Sequence, residues 1–198
     1  MQKLTRSDLW SLEQYAEQRA DFRRKVLAHK AHRQVALGEH VRLYFEDRLT
    51  LQYQIQEMLR IERVFEPAGI QEELDTYNSL IPDGSNWKAT LMIEYEDSEQ
   101  RKAALERLVG LEHRVWVRIG SGEPIYAIAD EDLDRATADK TSAVHFLRFE
   151  LPEAALAGVH QGADVSVGIE LPAYRIAGVE MAPEVIASLR ADLDPIES

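Results

Sequence analysis

Residues 87–95 read WKATLMIEY. Ala89, Leu91, Ile93 and Tyr95 fall at alternate positions, so a β-strand puts all four on one face and Lys88, Thr90, Met92 and Glu94 on the other. Upstream the period is different. In RLTLQYQIQEMLRIERVF, residues 48–65, rotation of about 100° per residue brings Leu51, Ile55, Met58 and Phe65 within roughly 40° of a common direction, the signature of an amphipathic helix. The change of period between these two stretches decides the fold class.

Working outward from the helix, residues from Thr5–Ser7 to about His29 contain no Gly or Pro, and TRSD supplies capping side chains at their start. Leu9, Leu12, Ala16, Val26 and Leu27 are the expected buried side. HVRLYF is a strand ahead of the long helix at 47–65, and EPAGIQEELDTYNSL is a further helix with Pro67 in its first turn. Working outward from the strand, SEQRKAALERLVG is a short helix ended by Gly110, and HRVWVRI, the GSGEP turn and IYAIA form a β-hairpin. AVHFLRFEL and DVSVGIEL are two more strands, separated by a helix at PEAALAGVH, and a last helix begins near Pro183. The expected architecture is a single α+β domain over 1–198. A helical N-terminal third (about 1–80) packs on a mainly antiparallel sheet of about five to six strands with interspersed short helices (about 81–198), because the connections are too short for parallel crossovers.

Composition excludes several chemistries. The formal net charge of −12 over 198 residues repels nucleic acid phosphates and anionic membrane surfaces, so neither is an expected partner. There is no cysteine, which removes disulfides, thiolate metal sites and protein-held iron–sulfur clusters. MQKLTRSDLW lacks a secretory apolar core and no apolar run approaches the ~20 residues of a membrane span, so the expected location is cytoplasmic. A homo-oligomer is compatible with all of this.

Polar residues on apolar faces are the candidate sites. Glu62 falls in the middle of the Leu51–Phe65 stripe, and Arg19 and Arg23 project into or beside the stripe of the first helix. A buried carboxylate needs a partner. The plain expectation is a buried Glu62–arginine pair locking two helices; the functional one is a ligand site between helices and sheet in which Arg19 or Arg23 also holds an anion. His145 shares a strand face with Leu147, Phe149 and Leu151, while Arg148 shares the other with Val144 and Phe146. Each is either a satisfied core polar group or a ligand contact. His29, His32 and His40 lie close in sequence, but HxxH near a helix end is weak metal spacing, and no metal or cofactor is expected. No histidine has a glutamate three residues away, which removes Glu-x-x-His di-iron ligation and the HExxH zinc motif. In ADEDLDRATAD, Arg135 stands where a calcium loop needs glycine and Thr141 where it needs glutamate, and Asp130 is expected to cap a helix.

EDRLTLQYQIQEMLRIERVF, IQEELDTYNSLIPDGSNWKATLMIEY, YAIADEDLDR and KTSAVHFLRFEL together resemble an uncharacterised bacterial family known only as a domain of unknown function, through nearly the whole chain. The resemblance implies a genomic setting beside rubrerythrin-like proteins and an iron–sulfur oxidoreductase of the heterodisulfide-reductase type. It therefore implies an accessory role in a redox or peroxide-defence system for a protein that carries no redox cofactor itself. The alternative is a small-molecule enzyme or binding protein using Arg19, Arg23, Glu62, His145 and Arg148.

Overall fold

The computed structural model describes residues 1–195. Ser11 caps the first long helix, α1 (Leu12–Ala31), by accepting from the Gln14 amide. Asp47 does the same for α2 (Arg48–Glu62) through Thr50, and Pro67 opens α3 (Pro67–Asn78). Thr5 and Asp8 cap a separate 3-10 turn at 6–8, so TRSD starts one turn and not the helix. Of the expected buried side of α1, Val26 is buried as read, but Tyr15 and Phe22 take the places of Leu12, Ala16 and Leu27.

The strands are β1 (Gln34–Ala36), β2 (Val41–Glu46), β3 (Asn86–Ile93), β4 (Val115–Ile119), β5 (Ile125–Tyr126), β6 (Ile128–Ala129), β7 (Val144–Glu150), β8 (Val165–Leu171) and β9 (Tyr174–Glu180). Between them lie α4 (Ser98–Arg107) and α5 (Glu153–His160); α6 (Pro183–Arg190) follows β9. Every pairing is antiparallel, as expected, but the strands form two sheets, ordered β1-β2-β3-β7-β6 and β5-β4-β8-β9. IYAIA is the reason for the split. Its first half pairs with β4 and its second with β7, with the step between sheets at Ala127, whose amide bonds the Val115 carbonyl at 2.9 Å. β1 and β9 are strands that the alternation did not single out.

The inner faces meet in one apolar core. Leu43, Leu91, Leu147 and Phe149 from the first sheet pack with Val115, Val117, Val167 and Ile169 from the second, and α4, α5 and α6 add Leu108, Val159 and Leu189. At the far edge, the Tyr174 hydroxyl donates to the Leu37 carbonyl at 2.7 Å. Its path is open because position 38 is glycine at φ 81°: a Cβ there would stand 2.5 Å from that hydroxyl.

The N-terminal helices do not merge with this core. They keep two clusters of their own, one around Leu51, Ile55, Leu59 and Leu74 and one around Tyr15, Phe22 and Val26. No helix among the described residues is long and apolar enough to cross a membrane.

Candidate functional site

Between two separate cores lies a seam, and polar groups collect along it. At its edge Arg33, 1% exposed, donates to the carbonyls of Phe45 and Glu46 and to the carboxylate of Asp192 beyond α6. Asp47, the α2 cap, adds a second carboxylate 3.5 Å from Arg33 Nε and bonds His29 Nε2 at 2.5 Å. Burial, offset in part by Arg33, pushes the Asp192 carboxyl up to about 6.

The middle of the seam opens into a groove of about 400 Å³. Its floor is the outer face of the first sheet, where alternation presents Tyr44 and Glu46 on β2, Thr90 and Met92 on β3, and Val144 and Phe146 on β7. Its roof is Lys30 of α1, Leu51 and Gln54 of α2, Tyr77 of α3 and Leu80 just after it. The lining is mainly apolar with one fixed acid. Glu46 is 8% exposed, and its two carboxylate oxygens accept from the Thr50 hydroxyl at 2.5 Å and the Thr90 hydroxyl at 2.7 Å. Both threonines are local consequences of the sequence: Thr50 is held in the capping box of α2, and Thr90 faces Tyr44 across β2 and β3. Burial raises the Tyr77 hydroxyl above its ordinary pKa; for Tyr44, burial does so first and Glu94 second.

The residues singled out from sequence are not brought together. Glu62 is exposed, contrary to expectation. Its angular position on α2 is as read, but the helix ends there, at left-handed Arg63, so the stripe outruns its cover and Phe65 is 70% exposed. Arg19 finds a different glutamate: its Nε and Nη2 bond Glu57 at 2.7 and 2.9 Å, and the Tyr15 hydroxyl donates to the same carboxylate at 2.7 Å. Arg19 first, and Tyr15 after it, hold Glu57 down at about 2. Arg23 is exposed. None of Arg19, Arg23 and Glu62 lines the groove.

His145 and Arg148 alternate on β7 as the sequence predicts, one inward and one outward. His145 is fully buried, its Nδ1 2.6 Å from Asp130 Oδ2 and its Nε2 2.8 Å from the Thr141 hydroxyl, which in turn reaches Glu112. This is a nucleophile–base–acid order, but Thr141 is only 2% exposed. It ties the 130–141 loop to the sheet. Asp130 caps no helix; at φ 50° its carboxylate accepts from the Phe146 amide instead. Arg148 is held by Glu131 and Glu150. His29 bonds Asp47, His40 stacks on Tyr95 with ring centroids 3.8 Å apart, and His32 is exposed at the end of α1. Among the described residues no group of three His, Asp or Glu side chains has the arrangement of a metal site.

Sequence reasoning missed Glu46. Its one local signal is the capping box DRLT immediately after it, which fixes the turn but not the partner Thr90, 44 residues away.

Residues 3–193 match the model of a family described as "Protein of unknown function (DUF3501)". A crystal structure of a novel protein of unknown function from Burkholderia pseudomallei is 55% identical in sequence, with a TM-score of 0.94; the alignment covers 98% of this chain and all of that one. None of the curated proteins compared with the chain matches it.

Proposed function

We propose, on the premise that the chain belongs to the DUF3501 family, that it is a binding protein for a small amphipathic molecule held in the groove between the N-terminal helices and the first sheet. The ligand has an apolar body and one amino or hydroxyl donor. The observation that carries this reading is Glu46: a carboxylate oriented by two threonine hydroxyls on an otherwise mainly apolar wall leaves lone pairs for a donor from a ligand. A volume of about 400 Å³ suits a small organic molecule.

A thermal-shift screen of aromatic and aliphatic primary amines and alcohols tests it. A ligand at a hundredfold over its Kd raises the melting temperature by roughly 5–10 °C for a chain of this size. Glu46→Gln removes that shift while far-ultraviolet circular dichroism is unchanged. A panel that never stabilises the wild type, or a variant that responds as strongly, rejects the reading.

A second reading is a cytoplasmic accessory protein of a redox or peroxide-defence system, itself without a redox cofactor. Its support is the family resemblance and a chain with no cysteine and no Glu-x-x-His pair. Affinity capture from a native extract tests it, and recovery of no rubrerythrin-like or iron–sulfur oxidoreductase partner counts against it.

A further inference from the structure

Next to the groove a second cavity of about 400 Å³ opens on the same sheet face, sharing Leu80 and Phe146 as a common wall. Lys88 of β3 points into it. In the strand register Lys88 stands between Glu46 of β2 and Arg148 of β7, and its Nζ donates to the Ser79 carbonyl at 2.8 Å.

The surrounding charges leave this amine without a counter-ion. Arg148 takes both Glu131 oxygens at 2.8 Å each and pairs with Glu150 as well. Asp83 accepts from the amide and hydroxyl of Ser85. Among the described residues, no carboxylate approaches Lys88 within ion-pair distance. Glu46 is turned toward Thr50 and Thr90. Half-buried and next to a guanidinium, the ammonium loses hydration and gains repulsion, and both favour the neutral amine. The pKa of Lys88 is accordingly lowered, by burial first and Arg148 second, against the opposing pull of Glu131, Asp83 and Glu150.

We propose that Lys88 is an imine-forming lysine that captures small aldehydes or ketones whose apolar part packs on Leu80 and Phe146. The nitrogen lone pair attacks the carbonyl carbon. A C=N bond forms, and the carbonyl oxygen departs as water with the two amine protons, so no oxidant or reductant is required. The inference does not rest on a ligand at Glu46, because that carboxylate does not line this cavity and is bonded to Thr50 and Thr90.

Reductive trapping tests it on the intact chain. Benzaldehyde with sodium cyanoborohydride is added across pH 6–9, and alkylation of each of the six lysines is followed by peptide mapping. At neutral pH a larger share of Lys88 than of the exposed lysines is the neutral amine, and it is alkylated severalfold faster than they are. Lys88→Arg and Lys88→Met both abolish this fast phase with unchanged circular dichroism, while Arg23→Ala, an exposed position lining neither cavity, keeps it. Labelling of Lys88 no faster than of the exposed lysines, or a fast phase that survives both variants, overturns the proposal.

Discussion

The outer faces of the two sheets are built from the same alternation and end differently. On the second sheet, the outward Trp116 lies flat over Gly168, where a Cβ would stand 2.1 Å from its ring, and Arg118 stacks on it with 4.7 Å to the centroid. That face covers itself. On the first sheet Tyr44, Glu46, Lys88 and Thr90 are roofed by helices that have their own cores, so the space between is neither filled nor fully open. A layer attached through polar contacts leaves room for chemistry that a merged core would exclude.

The contrast can be broken first at the seam. Arg33→Met leaves Asp47 and Asp192 buried without their cation and costs about 3–5 kcal/mol in urea denaturation, the largest effect expected at any attachment point. Next is Gly168→Val on the self-covering face, which forces Trp116 off the strand; a loss of about 1–3 kcal/mol, with a shift of tryptophan fluorescence, is the expected result.

The pH dependence sharpens the same comparison. Because Asp192 has a folded pKa near 6 against 3.8, the native state holds its proton while the unfolded chain has released it. Its contribution to stability therefore falls as pH rises from about 4 to 6. Relative to Asp192→Asn, which cannot titrate, the wild type loses about 2–4 kcal/mol across that window in melts at stepped pH. Glu57 in the helical layer has the opposite sign. Held at about 2 against 4.5, it contributes above pH 4.5 and loses that contribution as pH falls toward 2, so Glu57→Gln flattens the acid limb of the melting curve. The smallest effect belongs to Arg23→Ala and Glu62→Ala. Both side chains are exposed, and each substitution stays within about 0.5 kcal/mol.

Glu57 and Glu62 also show how far the sequence can be read. Helical period placed Leu51 and Ile55 correctly in the core, and strand period did the same for Leu91 and Ile93, because these are properties of one element at a time. The starts of α2 and α4 follow from the same local periods, whereas the two caps read from sequence, TRSD and Asp130, open only a 3-10 turn and no helix at all, respectively. Which glutamate meets Arg19 depends on where α2 crosses α1 and where it stops, and neither is encoded in a stripe. The division into two sheets turns on Ala127, a residue with no punctuating signal. Glu46 and Lys88 acquire their surroundings from Thr90, Ser79 and Arg148 on other elements, so the groove and its neighbouring cavity emerge only with the fold.

The bond from Tyr174 to Leu37 joins positions 137 residues apart, whereas β1 to β2 and β8 to β9 are neighbouring hairpin partners. Closing such long loops is slow compared with forming a hairpin. The inner face of the first sheet, with Leu43, Leu91 and Leu147, is covered only in part by Leu108 of α4 and Val115 and Val117 of β4 until β8 adds Val167 and Ile169, so part of this apolar surface waits for residues 165–171. Release of the nascent chain before residue 165 thus leaves part of that sheet open to association with other chains.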